Sequence, residues 1–188
     1  MLTIYLGLVL ANTPKKIMKS TFKLLLAIIT TQLISSKVFS QTETIHWYTL
    51  EEAQKLELQE PRKILIDIYT DWCGWCKKLD AGAYHDPQIV EYVNSHFYPV
   101  KFNAETHDTI TFKGVDYMYD PMYRVNMVSP KIMPGSNGYP TTTILDEKLN
   151  LLNVQPGYME IKTMLQFLRY FGDDFYKTMD WTTYQQTN

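Results

Sequence analysis

The chain has 188 residues, of which 45% are hydrophobic and 20% are charged, proportions that are ordinary for a globular protein. This length predicts one domain with room for a small extension. The formal net charge of −2 excludes the strongly basic field that attracts nucleic acid or an anionic membrane surface, so we expect no nucleic-acid partner.

The first 40 residues have the pattern of a secretory signal peptide. Lysines precede an apolar run from Leu24 to about Ile34, and Val38-Phe39-Ser40 resembles a cleavage site. We predict cleavage before Gln41, a true translation start at Met18, and a periplasmic or secreted mature protein. Because the apolar run is short for a membrane span, an N-terminally anchored form is the alternative, and the membrane is a partner only in that form.

Three elements are predicted before the cysteines. Residues 43–48 have the pattern of a short strand. Thr49 followed by Glu52 is a capping box, which predicts a helix to about Leu58. The aliphatic and β-branched run Lys63–Thr70 then predicts a buried central strand.

The two cysteines of the chain follow that strand, in Trp72-Cys73-Gly74-Trp75-Cys76. The next residues favour a helix. Cys73 is therefore expected at a helix N-terminus, whose unpaired N–H groups and partial positive charge stabilise a thiolate. This predicts Cys73 as the attacking sulfur and Cys76, one turn further on, as the sulfur that resolves a mixed disulfide. Gly74 leaves Cys73 accessible, and Trp72 and Trp75 offer an apolar rim to a partner chain.

Two other interpretations of the cysteine pair are less favoured. A zinc site needs two further ligands, and the four histidines show no paired spacing, so we predict no metal. An inert structural disulfide is a poor staple, because a four-residue loop removes little chain entropy. Since the chain has no other cysteine and export brings it into oxidising surroundings, we expect the pair to act on another molecule.

In the middle of the chain, the sequence predicts one helix and one strand, followed by a segment without regular periodicity. Asp86 and Pro87 predict a helix start, as N-cap and first helical residue, and Tyr98–Asn103 has the pattern of a strand. Residues 105–137 are rich in Tyr and Met and show no sustained periodicity, and we predict one short helix near 122–128. This segment either packs on the domain or forms a docking surface, because Met side chains adapt to varied partners.

The rest of the chain predicts a hairpin and two helical segments. Residues 141–154 have the pattern of two antiparallel strands joined by a turn. Apolar residues at helical spacing predict a helix from Met159 to Phe171, ended by Gly172. The aromatic tail, residues 173–188, is predicted to lie on the domain as a short helical extension.

Two stretches resemble the thioredoxin superfamily. Residues 66–77, which contain both cysteines, are similar to its active-site segment, and residues 138–142 are similar to its cis-proline loop. The resemblance covers residues 45 to about 171 and implies an α/β fold with a central mixed sheet flanked by helices, here with an enlarged connection at 105–137. Trp75 departs from the proline of thioredoxin and the histidine of disulfide isomerases, and the likeness is greater to exported bacterial thioredoxin-like proteins with a Cys-Gly-Trp-Cys centre.

The resemblance also implies roles for three further residues. Asp67 would be a buried carboxylic acid with a raised pKa that takes a proton from Cys76. The alternative is a water-facing strand position, but apolar residues on both sides of Asp67 argue against it. The Tyr139–Pro140 bond would be cis and lie beside the cysteines, so that Tyr139 offers its backbone to an extended substrate. Otherwise Pro140 simply begins the next strand through a trans bond.

These observations predict a signal peptide (1–40), a thioredoxin-like domain (41–172) and a C-terminal extension (173–188). The predicted activity is exported thiol–disulfide exchange with protein substrates and an unidentified redox partner, without a cofactor and as a monomer. The alternative is a non-catalytic binding module that docks partners through its Trp-rimmed surface and Tyr/Met-rich insert. The direction of electron flow does not follow from the sequence.

Overall fold

The computed structural model describes residues 43–187. Its α-helices are α1 (Leu50–Gln59), α2 (Gly74–Ala81), α3 (Pro87–His96), α4 (Ser129–Ile132), α5 (Ile161–Gly172) and α6 (Trp181–Thr187). Its strands are β1 (Lys63–Tyr69), β2 (Phe97–Asn103), β3 (Ile110–Phe112), β4 (Val115–Tyr117), β5 (Tyr119–Asp120), β6 (Val125–Asn126), β7 (Thr141–Leu145) and β8 (Leu151–Pro156). Short 3-10 helices cover Ala83–His85 and Phe175–Lys177. The predicted signal peptide lies outside the described residues, and within them no helix is long and apolar enough to cross a membrane.

β1 lies at the centre of a four-stranded mixed sheet in the order β2–β1–β7–β8. β2 runs parallel to β1, while β7 is antiparallel to β1 and β8 is antiparallel to β7. Helices pack on both faces of this sheet. The predicted thioredoxin-like α/β architecture is therefore confirmed.

The two faces of β1 belong to two different apolar clusters. Ile64, Ile66 and Ile68 pack with α1 and with the segment 105–137. Leu65 packs on the opposite face with α2, α3 and α5. Because side chains alternate between the faces of a strand, Asp67 lies on the same face as Leu65. Each buried aliphatic side chain contributes roughly 1.5–3 kcal/mol to stability, which makes β1 the best anchored strand available to hold a site.

Local capping explains where α1 and α3 begin. The Thr49 hydroxyl accepts from the Glu52 N–H at 3.1 Å, and the Glu52 carboxylate accepts from the Thr49 N–H at 2.8 Å, which is a complete capping box. The Asp86 carboxylate caps α3, with Pro87 at the first helical position. Both predicted helix starts are confirmed, and each cap is worth about 1 kcal/mol.

Residues 43–48 do not form the predicted strand. Of these residues, Tyr48 alone pairs with the sheet, through a single bridge to β2. The Asn94 side chain takes up the preceding backbone, since its amide oxygen accepts from the His46 N–H and its nitrogen donates to the Thr44 carbonyl, both at 3.0 Å. A side chain thus satisfies the backbone groups that a neighbouring strand would otherwise satisfy.

The segment 105–137 forms two small hairpins, β3–β4 and β5–β6, followed by the one-turn helix α4. The helix predicted near 122–128 is wrong. The Asp120 carboxylate accepts from the backbone N–H groups two and three residues further on, and its carbonyl accepts from the Arg124 N–H at 2.7 Å. Arg124 has a left-handed φ of 57°. These contacts close a hairpin turn, and a left-handed residue cannot continue a right-handed helix.

The aromatic tail lies on the domain and is helical, as α6 and the 3-10 turn before it show. Tyr184 is buried in the same cluster as α5, and the Tyr170 hydroxyl donates to the Met179 carbonyl at 2.8 Å. Lys63, at the start of β1, forms an ion pair of 2.8 Å with Asp174. The domain boundary at residue 172 stays a prediction.

Candidate active site

The cysteine pair lies at the amino end of α2, directly after β1. Cys73 is the N-cap residue of α2, as predicted, and a disulfide bond joins it to Cys76. The Cys76 N–H donates to Cys73 Sγ at 3.0 Å, and the Cys73 N–H donates to the Thr70 carbonyl at 3.1 Å. A sulfur at this position, with a backbone donor beside it, is well placed to carry negative charge once the disulfide is reduced.

The disulfide is almost fully covered, but the space beside Gly74 is open. Cys73 and Cys76 are only 3% and 2% exposed, so a partner must approach closely to reach either sulfur. A Cβ added at Gly74 would meet no atom within 4 Å. Packing within the chain therefore does not require glycine here, and the space above Gly74 is free to take a substrate segment.

Two tryptophans flank the disulfide and both are held in place. Trp72 is 68% exposed, and its indole N–H donates to the Glu105 carboxylate at 2.9 Å. Trp75 is 57% exposed and packs against Tyr158, with 5.4 Å between the ring centroids. The Lys78 ammonium lies over the rings of Trp75 and Tyr158, at 4.9 and 4.6 Å from their centroids. Both indoles are therefore exposed apolar rings with a partner inside the chain, and their role as a rim for a partner chain stays a prediction.

The loop before β7 lies beside the cysteine segment. The Tyr139–Pro140 peptide bond is cis. Pro140 is buried, and its carbonyl accepts from the Gly157 N–H at 2.8 Å. The Tyr139 ring meets Trp72 edge to face, with 6.0 Å between the centroids. The structure therefore brings together Tyr139, Pro140 and the Trp72 side of the cysteine motif.

A buried ion network lies under α2. Asp67 is fully buried on β1, and Lys101 is its register partner on β2. The Lys101 ammonium donates to Asp67 Oδ2 and to Asp80 Oδ1. Asp80 follows Cys76 by four positions in α2, which places both residues on one face of the helix. The network thus links the central strand to the helical turn that follows Cys76.

The carboxyl group of Asp67 titrates far from its ordinary range. Burial raises its pKa to about 6, although Lys101 acts to lower it. Asp67 Oδ1 and the hydroxyls of Tyr84 and Thr142 are buried and have no hydrogen-bond partner among residues 43–187. The Tyr84 phenol still lies near enough to act on Asp67, and it also lowers the pKa. A carboxyl with a pKa near 6 can accept or release a proton close to neutral pH.

Aromatic rings surround the cation of this network. The Lys101 ammonium lies 5.3, 5.1 and 5.3 Å from the ring centroids of Trp47, Tyr69 and Tyr84. Burial alone lowers the pKa of Lys101, but the two carboxylates outweigh burial and the net shift is upward. Lys101 therefore stays charged at neutral pH and stabilises the ionised form of Asp67.

A groove of about 660 Å³ opens beside Trp72 and Tyr139. Its remaining walls come from the segment 105–137, with Arg124 and Met127 among the lining residues. This volume lies in the range of pockets that bind ligands, about 300–1,000 Å³. Among residues 43–187, no group of three or more His, Cys, Asp or Glu side chains is placed to hold a metal ion.

A profile of the Thioredox_DsbH family, described as a protein of unknown function (DUF255), matches residues 35–169, well over half of the chain. The chain belongs to this family. The predicted membership of the thioredoxin superfamily is confirmed with it.

Individual relatives of this Thioredox_DsbH chain are distant. An uncharacterized protein of Archaeoglobus fulgidus is 27% identical over 95 residues, which cover 48% of this chain and 75% of the relative. The thiol:disulfide interchange protein DsbD of Haemophilus ducreyi is 37% identical over 60 residues, 32% of this chain and 9% of DsbD. A solved thioredoxin-fold protein from Helicobacter pylori has a TM-score of 0.54 at 17% identity, covering 80% of this chain and 86% of that one, and this likeness shows the fold alone. The family match, the DsbD segment and the cysteine pair support a place among the thiol–disulfide oxidoreductases.

Sequence reasoning missed part of the site. Lys101 sits between apolar neighbours in a strand, the same signal that singled out Asp67, so it could have been found. Asp80 could have been inferred from its spacing of four from Cys76. Glu105 and the groove depend on the path of the segment 105–137, and no local pattern indicates them.

Proposed function

We propose that this chain is an exported thiol–disulfide oxidoreductase that exchanges disulfides with protein substrates through Cys73 and Cys76. One observation supports the proposal: the helix whose N-cap carries the disulfide is joined, through Asp80 and Lys101, to a fully buried carboxylic acid on the central strand. A structural staple has no use for a titratable group there, whereas thiol exchange needs a proton acceptor.

The reaction proceeds as two thiol–disulfide exchange steps, in each of which one S–S bond forms and one breaks. In the reduced protein, the Cys73 thiolate attacks a substrate disulfide; a Cys73–substrate bond forms, and the other substrate sulfur leaves as a thiolate and takes up a proton. The Cys76 sulfur then attacks Cys73, which frees the second substrate thiolate and forms the Cys73–Cys76 disulfide. Two electrons pass to the substrate, and the reverse sequence oxidises a substrate dithiol.

Asp67 is proposed to act in the second step. Cys76 attacks only as a thiolate, so its proton must leave first. An ionised Asp67 accepts that proton, either directly or through a bound water, and a pKa of about 6 keeps it largely ionised at neutral pH. Lys101 favours that ionised form, and through Asp80 it is tied to the helix that carries Cys76.

Trp72, Gly74, Trp75, Tyr139 and Pro140 are proposed to form the substrate-binding surface. The two exposed indoles precede and follow the Cys73–Gly74 step in the chain, and open space beside Gly74 supports this proposal. An extended substrate segment would pair with the Tyr139 backbone as an added strand, which gives affinity without a sequence requirement.

Localisation and processing are further proposals. Removal of residues 1–40 would deliver a periplasmic or secreted protein with domain 41–172 and extension 173–188. N-terminal sequencing of the exported protein is expected to begin at or near Gln41. Retention of residues 1–40 would instead favour the membrane-anchored form. We propose a monomer that receives or passes on electrons through a separate redox partner.

The activity is tested by following the reduction of a protein disulfide by dithiothreitol with and without the purified protein, and the oxidation of a reduced dithiol protein in the reverse assay. We expect acceleration in at least one direction and its loss in Cys73→Ser, on the order of a thousandfold. If the wild type accelerates neither reaction, the chain is a binding module and the proposal fails.

A further inference from the structure

The groove beside Trp72 is mostly apolar and adjoins the cysteine motif. Its lining includes Trp72, which directly precedes Cys73, and Tyr139, whose ring meets Trp72 edge to face. Tyr123, Met127 and Met133 also line it. A chain segment bound at the disulfide would therefore lie next to the groove.

The segment that forms the groove is held in a fixed shape. Asn126 is fully buried; its amide nitrogen donates to the Asp108 carbonyl at 2.8 Å, and its amide oxygen accepts from the Val128 N–H at 3.1 Å. Its backbone N–H donates to the Ala104 carbonyl at 2.7 Å. This one buried residue thus joins Ala104, Asp108 and Val128, two of them through its side chain. A preformed groove loses little entropy on binding, so it is suited to recognition.

The two charges that line the groove differ in their state. The Glu105 carboxylate accepts a hydrogen bond from the indole N–H of Trp72, the residue that precedes Cys73. Arg124 lies in the β5–β6 turn, and its guanidinium has no ion pair among residues 43–187. An anionic group on a partner would be repelled near Glu105 and attracted near Arg124.

Resting on the proposed function, we propose that this groove selects substrates: it binds the polypeptide next to the reacting cysteine, with a large apolar side chain among the Met and Tyr walls and a carboxylate on Arg124. Arg124 is the specificity-determining residue. Because Glu105 contacts Trp72 beside Cys73 and would repel an anion there, we expect the apolar residue nearer the cysteine and the acidic residue further from it.

The test uses the Cys76→Ser form of the purified full chain and synthetic peptides in which one cysteine forms a disulfide with a chromophoric thiol. Each peptide carries one Phe, two residues before or two residues after the cysteine. It also carries one Glu, Gln or Lys, placed at one of the four positions beyond that Phe. The rate of chromophore release measures attack by Cys73. Bis(2-hydroxyethyl) disulfide is uncharged and too short to contact the groove while its disulfide reacts, so it reports exchange without groove binding.

For at least one peptide geometry we expect the Glu peptide to react about five times faster than the Gln peptide, as suits one partly exposed ion pair. In Arg124→Glu the preference should invert toward the Lys peptide. The matched control is Lys131→Glu, which makes the same charge change on an exposed residue outside the groove lining and should keep the wild-type preference. Replacing Phe by Ser should slow the preferred peptide further.

Each other outcome overturns the inference in a recognisable way. If the Glu, Gln and Lys peptides react at the same rate relative to bis(2-hydroxyethyl) disulfide in every variant, the groove does not select substrates. The proposed thiol–disulfide exchange would still hold in that case. If Lys131→Glu shifts the preference as much as Arg124→Glu, the effect is a general field and Arg124 is not the determinant. If no disulfide reacts at all, the proposed function fails together with the inference. If light scattering shows a dimer whose formation abolishes the peptide preference, a second copy occupies the groove. Circular dichroism of each variant confirms that it is folded.

Discussion

The ion network under α2 and the groove beside Trp72 both lie near the cysteine motif but are built in opposite ways. Under α2, Asp67 and Lys101 lie on adjacent strands in register and are largely enclosed. Beside Trp72, the groove is lined by the β5–β6 hairpin, the one-turn helix α4 and the loop that follows it. Regular strands thus hold the groups that we propose to move protons, and an irregular segment supplies the surface that we propose a substrate meets.

This difference has an energetic side. A buried carboxyl is costly, and the sheet can hold it only because Lys101 and the surrounding packing fix its environment. The segment 105–137 has no long helix or strand of its own, and the buried Asn126 joins its parts by hydrogen bonds. Changes under α2 should therefore alter stability and pH dependence, and changes in the segment should alter recognition and local order.

The largest expected effect is on stability, in Asp67→Asn. The folded pKa of about 6 lies above the ordinary carboxyl value of about 3.9, so the folded state holds this proton more tightly than the unfolded state. That stabilisation is full below about pH 4 and is lost as the pH rises through 6. Asp67→Asn removes this titration, so it should raise the unfolding free energy at pH 7.5 by at most about 3 kcal/mol relative to its effect at pH 4. The loss of the ion pair between Lys101 and Asp67 reduces this gain.

Urea unfolding of the oxidised protein at both pH values measures this difference. Asp80→Asn is the matched control, because it also removes a carboxylate from Lys101 but at a half-exposed position. It should change stability by less than about 1 kcal/mol. An Asp67→Asn difference that is equal at pH 4 and pH 7.5 would show that Asp67 has no raised pKa in the folded protein.

A second variant, Asn126→Ala, should affect the segment 105–137 and spare the sheet. It leaves backbone donors and acceptors of Asp108 and Val128 without their partner, at a cost of about 2 kcal/mol of local stability. Limited proteolysis should then cut within 105–137 well before the rest of the domain. Asn94→Ala is the comparison, because it breaks two similar bonds near residues 44–46. Equal cutting in both variants would mean that Asn126 does not hold the segment.

A third, smaller effect is on the pH dependence of mixed-disulfide resolution, and it tests whether Asp67 is the group that titrates. Lys101 lowers the Asp67 pKa and Asp80 raises it. The rate of mixed-disulfide resolution should rise with pH through about 6 in the wild type. Its midpoint should move up in Lys101→Met and move down in Asp80→Asn. Stopped-flow measurement of the resolution rate against pH checks the direction of both shifts. If both midpoints move in the same direction, the group that titrates in this reaction is not Asp67.

The same two regions differ in how far the sequence predicts them. β1, α2 and the caps of α1 and α3 follow from strong local signals, and the placement of Cys73 at a helix start and of Asp67 in a buried strand followed with them. Residues 43–48 were misjudged because Asn94, distant in sequence, replaces a strand partner. In 105–137, a left-handed Arg124 and bonds from buried Asn126 set the path, and neither has a sequence period. The groove and the Glu105 contact could not be predicted for that reason.

The central claim is that Cys73 attacks and Cys76 resolves, and trapping tests it most directly. Cys73→Ser and Cys76→Ser are each reduced, mixed with a disulfide-bonded protein substrate, quenched with acid and examined by mass mapping. The account predicts a stable mixed disulfide on Cys73 in the Cys76→Ser form and almost none in the Cys73→Ser form, because Cys73 is the helix N-cap. A mixed disulfide that accumulates on Cys76 in Cys73→Ser, with none in Cys76→Ser, would contradict it.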